Sequence, residues 1–130
     1  MAREILVTNY LSKEMITAGK KLIKRLKNEI DLKAVCWAYI NDINEWRLVF
    51  ISDDINTKGP RKLFECVLEA NKKARKKENI LPIFNVSIFN HLGKFDKISK
   101  QVSPQTAVHM DDVYIYPQNV VKSKKIVTTA

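Results

Sequence analysis

Residues 33–52 read KAVCWAYINDINEWRLVFIS, two apolar runs rich in strand formers on either side of a polar NDINE. Runs of this length separated by a short polar stretch predict an antiparallel hairpin. With Asn41 to Asn44 as the loop, Tyr39 falls opposite Trp46 and Trp37 opposite Leu48. Alternation then divides the hairpin into two faces. Val35, Trp37, Tyr39, Trp46, Leu48 and Phe50 make a bulky face suited to the main core. Ala34, Cys36, Ala38, Val49 and Ile51 make a face of smaller residues that a helix can approach closely. Arg47 shares that second face, so one end of it should stay wet.

Outward from the hairpin, the periodicity changes. ILVTNY, residues 5–10, reads as a short strand or an ordered lead-in. Ser12 is placed as an N-cap, and Met15, Gly19, Leu22, Ile23, Leu26 and Ile30 follow at helical spacing, with Lys13, Thr17, Lys20, Lys21, Lys24 and Lys27 opposite. On the other side, Pro60 suits a first helical position, and Leu63, Phe64, Val67, Ala70 and Ala74 continue a helix to about Lys77. IFNVSIF after Pro82 predicts a strand reached by a crossover, hence parallel to the second hairpin strand and part of a mixed sheet. Leu92, Phe95, Ile98 and Val102 predict a third helix, capped by Asn90 and closed by Ser103 and Pro104. VYIYP, 113–117, predicts a last strand. The fold class is α/β in the mixed α+β sense, with order α-β-β-α-β-α-β. It forms one domain over residues 1–117, and the tail 118–130 offers an edge strand at most.

Composition narrows the function classes. At 130 residues with 45% hydrophobic content, the chain suits one core that buries roughly two-thirds of its unfolded surface. No apolar run approaches the roughly 18 residues that span a bilayer, and MAREILVTNYLSKEM lacks a basic region followed by an apolar core. A cytoplasmic, unanchored protein is expected. Cys36 and Cys66 are 30 positions apart with no metal-ligand spacing, which suggests two buried thiols. The net charge of +9, from 23 basic and 14 acidic residues, raises the prospect of a polyanionic partner. Its excess follows the helices: +4 in residues 1–30, −2 in 31–60 and +6 in 61–100. Only 5 of the 23 cations are Arg, the better bidentate reader of phosphate.

The string WAYINDINEWRLVFIS, then GPRKL, and later DVYIY resembles a group of small uncharacterised prokaryotic proteins with an aromatic hairpin, a Gly-Pro helix start and an acidic-plus-YIY ending. The resemblance spans residues 12–117 and implies the same single-domain fold, without implying an activity. It includes Ser52 and leaves out Asp53 and Asp54, which implies that this acidic pair is not a metal site.

The candidate chemistry is of four kinds. Asp53 and Asp54 could hold Mg²⁺ together with Asp111 and Asp112 if the second and last strands end on one edge, because hard cations need several convergent oxygens. Adjacent aspartates in an extended chain diverge, however, and Asp also serves turns. His91 and His109 could exchange protons as the pair of a metal-independent ribonuclease, if the fold brings them together. Residues 58–62, KGPRK, could receive phosphate at a helix start, but the spacing fails the P-loop pattern and proline removes a donor. No cofactor, metal or nucleotide is therefore expected. The fourth kind is a pair of basic faces: Lys13, Lys20, Lys21, Lys24 and Lys27 on the first helix, and Lys72, Lys73, Arg75, Lys76 and Lys77 ending the second. Cations at a helix C-terminus also complement its dipole, so the second cluster has a structural reason as well. The leading expectation is a non-enzymatic binding or regulatory module that contacts nucleic acid through these faces. The alternatives are a small nuclease or toxin-like ribonuclease, and a protein-interaction or self-associating module using the hairpin aromatics or the VYIY strand.

Overall fold

The computed structural model describes residues 3–5, 7–8, 10–75, 78–90, 108–110 and 113–122. Within them the elements run β1 (Arg3–Glu4), α1 (Lys13–Leu26), β2 (Ala34–Ile40), β3 (Glu45–Ile51), α2 (Asp54–Lys58), α3 (Pro60–Lys72), β4 (Asn79–Ile80), β5 (Val86–Phe89), β6 (Val108–Met110), β7 (Val113–Ile115) and α4 (Gln118–Val121). Strands β5-β3-β2-β7-β6 form one mixed sheet, and β1 pairs with β4 beside it. The chain is a single α+β domain.

The hairpin takes the register that its alternation dictates, with Tyr39 opposite Trp46 and Trp37 opposite Leu48. Its loop is a turn of 3-10 helix, Asn41–Ile43, closed by Asn44 at φ +50, a left-handed conformation that Asn tolerates better than most residues. Strand β5 lies parallel to β3, as the crossover through α3 requires. Strand β7 adds antiparallel to the other side of β2.

Ser12 caps α1 by accepting a hydrogen bond from the Met15 N–H at 3.2 Å. The apolar stripe of α1 and Leu63, Val67 and Ala70 of α3 bury the bulky face of the sheet, in one cluster with Val35, Trp37, Trp46, Leu48 and Phe50. The small-residue face forms a second buried cluster, in which Val113 and Ile115 of β7 join the hairpin residues. Arg47 is half-buried at its end and donates to the Ser87 hydroxyl at 3.3 Å.

Gly19 lies where α1 closely approaches Tyr116 and Trp37 in the main core. The Tyr116 hydroxyl accepts from the Trp37 indole N–H at 3.0 Å and donates to the Ile16 carbonyl at 2.6 Å, and a Cβ on residue 19 would overlap that hydroxyl. Burial pushes the Tyr116 hydroxyl well above the usual phenol range, so it stays a neutral donor.

Several expectations are corrected. Helix α3 ends at Lys72 rather than near Lys77, because the chain turns at residues 73–75 and a carboxylate, Glu78, accepts from the Arg75 N–H at 3.1 Å. Asn79 accordingly begins a strand instead of ending the helix. The link after β3 contains a helical turn, α2, that pattern alone reads as loop. Gly59, at φ +82, separates it from α3. Residues 118–121 form a short helix after Pro117 rather than an edge strand, and Val121 is buried in the main core. Strand β6, Val108–Met110, is an addition to the strands that the pattern predicts. The expected third helix over Leu92, Phe95, Ile98 and Val102 lies outside the described residues, as do 123–130 of the tail.

Candidate functional site

Asp53 and Asp54 point to different neighbours. The exposed Asp53 carboxylate meets Lys33 Nζ at 2.8 Å. Asp54 Oδ2 accepts from the Asp31 N–H at 2.9 Å and lies 3.5 Å from Lys58 Nζ. Ser52, fully buried, organises this corner. Its hydroxyl donates to the Asp31 carbonyl at 2.7 Å and accepts from the Asp54 N–H at 3.1 Å. Asp111 and Asp112 lie outside the described residues, and the strand ends that flank them belong to the other end of the sheet. Val113 pairs with Ala38 and with Met110, whereas Ile51, which leads into Asp53, pairs with Ala34. Those positions on β2 are about 13 Å apart at the usual strand rise. Among the described residues, no group of three or more His, Cys, Asp or Glu could hold a metal ion. His91 lies outside the described residues, and His109 occupies the middle of β6, paired with Tyr114.

The basic faces converge. Lys21 and Lys24 of α1 and Arg75, just beyond α3, line one recess of about 420 Å³ together with Arg25 and Glu78. A neighbouring recess, between α1 and β4, shares Lys21 and Glu78 and adds Lys13. On the other side, the groove between α1 and α3 shares Arg25 and adds Lys62, Lys72 and Lys73. Charge differs along this band. The α1–α3 groove sets four cations against Glu29, Glu65 and Glu69, and Lys72 is paired with Glu69 at 3.3 Å. Among the described residues, the middle recess sets four cations against Glu78 alone. Lys13, Lys20, Lys21, Lys24, Lys73 and Arg75 are exposed, and their side chains make no ion pair among the described residues. Lys27 is half-buried at the end of α1, and Lys76 and Lys77 lie outside the described residues.

Glu78 is itself occupied. Arg25 Nη1 and Nη2 donate to its two carboxylate oxygens at 2.5 and 2.6 Å. These bonds hold the carboxyl at about 2, against the opposing effect of burial and with help from the Arg75 N–H and the charge of Lys21. The Arg25 guanidinium is raised in turn. A fork-to-fork pair of this kind fixes geometry as well as charge. Neither residue stood out in the sequence. The available signal was one glutamate closing the cationic run KKARKKEN, with an arginine among the lysines of the first helix.

The surfaces expected for a protein partner are largely interior. Trp37 and Tyr116 are fully buried and Trp46 nearly so, while the exposed large apolar side chains among the described residues are Tyr10, Ile43, Leu68, Phe84 and Phe89. Cys36 is buried, which pushes its thiol up to about 12, and Cys66 is half-buried; neither is in a disulfide. No helix among the described residues is long and apolar enough to cross a membrane. Comparison with protein-family models, with curated proteins and with solved structures finds no match to this chain.

Proposed function

We propose that this chain is a non-enzymatic binding module that holds the phosphate backbone of a nucleic acid across α1 and the turn after α3. One observation carries the reading: two cation clusters some fifty residues apart in sequence meet at one recess, whose sole carboxylate among the described residues is already neutralised by Arg25. Exposed, unpaired lysines beside a low-dielectric wall attract polyanions and release counterions from them. Among the described residues the band contains no aromatic platform for stacking bases, so the contact is to backbone rather than sequence.

Binding to short RNA and DNA duplexes and single strands at about 50 and about 200 mM salt tests this. The expected result is affinity that falls steeply with salt. The combined substitution Lys21→Gln, Lys24→Gln and Arg75→Gln should lower the salt slope by roughly 0.9 for each lost phosphate contact. Absence of binding at low salt, or binding indifferent to the triple substitution, would remove the proposal.

A further inference from the structure

The middle recess depends on a residue whose charge is wrong for its ligand. Glu78 bonds to both nitrogens of the Arg25 fork from α1 and to the backbone N–H of Arg75, so one carboxylate ties the first cation cluster to the second. Arg25 also forms the common wall between the middle recess and the α1–α3 groove. Without that tie, Arg75 would sit on a turn with no described side-chain bond to α1. We infer that the Arg25–Glu78 pair is a clasp that positions Arg75 beside Lys21 and Lys24, making both residues positioning residues for polyanion binding. This rests on the function proposed above.

The clasp changes binding in the opposite direction to simple electrostatics. Glu78→Gln adds one unit of net positive charge, so charge alone predicts tighter binding. The clasp predicts weaker binding, because the cations no longer present one surface. Arg25→Lys keeps the charge but replaces a rigid fork with a single flexible ammonium, so charge alone predicts no change and the clasp again predicts loss.

The experiment measures binding of short RNA and DNA, each as duplex and as single strand, to wild type, Glu78→Gln and Arg25→Lys across a salt series. Circular dichroism checks that each variant is folded. Both variants should bind about fivefold or more weakly, with a salt slope reduced by about 1, the value of one phosphate contact. Should Glu78→Gln fail to fold, Arg25→Lys decides. Glu78→Gln binding as tightly as wild type or tighter overturns the clasp, and so does Arg25→Lys indistinguishable from wild type. A wild type that binds none of these nucleic acids removes the functional reading itself, a distinct result that takes the clasp with it.

Discussion

Trp37 and Glu78 each bring a polar group against α1, and the two sites hold the helix by different means. At Trp37, α1 is held by a missing atom: Gly19 has no Cβ, and the Tyr116 hydroxyl occupies the space between the indole and the Ile16 carbonyl. Every group there is neutral and enclosed. At Glu78, α1 is held at its exposed side by a charged pair, and Arg25 keeps part of its surface in water. The first site should therefore govern stability and be insensitive to pH. The second should contribute less to stability, respond to acid, and matter for what the surface can bind.

Gly19→Ala is the sharpest way to break the interior site. In an ordinary helix this change gains up to about 1 kcal/mol. Here the new methyl must displace the Tyr116 hydroxyl and disturb two buried hydrogen bonds, so a net loss of about 2–3 kcal/mol is expected from urea denaturation. Removing the hydroxyl first should relieve most of that loss. In a Tyr116→Phe background the same substitution should cost at least about 1 kcal/mol less, a coupling that a double-mutant cycle reads directly. Equal costs in the two backgrounds would mean that the hydroxyl is not what Gly19 makes room for.

At the rim, acid is the instrument. The Glu78 carboxyl is held down to about 2, against an ordinary value of 4.5. Protonation therefore favours the unfolded chain. The stabilisation from the pair is complete above the ordinary value and is lost as pH falls from there through about 2. Glu78→Gln should be less stable than wild type by on the order of 1–2 kcal/mol near neutrality, since Arg25 is partly hydrated. The difference should narrow between about pH 5 and about pH 3. A gap independent of pH would show that the variant fails for some reason other than the pair.

The same contrast explains what was legible in the sequence. The hairpin register could be read because strand periodicity is 2 and a one-residue slip would move Trp37 and Leu48 off the core face. Helix α1 could be read from Ser12 and its apolar stripe. The end of α3 could not, because KKARKK continues a good helical composition while a distant arginine and the glutamate after it draw the chain into a turn. Strands β6 and β4 are too short for any period to show, and they exist through their pairing with β7 and β1. The two lysine rows were visible as rows. Their meeting was not, since it depends on how α1 packs against α3, which no local pattern encodes.

Asp53 and Asp54 give the smallest and most selective prediction. They are adjacent and identical, and as a metal pair they would be expected to act together. Their surroundings separate them. Asp53 meets Lys33 where both side chains are more than half exposed, an arrangement worth between nothing and about 0.5 kcal/mol. Asp54 is mostly covered and accepts the Asp31 N–H, so its removal leaves a backbone donor without that partner and loosens the corner that Ser52 organises. Asp54→Ala should therefore cost about 1 kcal/mol in urea denaturation and Asp53→Ala almost nothing. The reverse order would undo this account of the corner. Asp54→Ala should also leave polyanion binding unchanged once the protein is folded, because Asp54 is bonded to Asp31 and Lys58 and lines none of the basic recesses. Loss of binding in Asp54→Ala would extend the functional surface to the opposite end of α3.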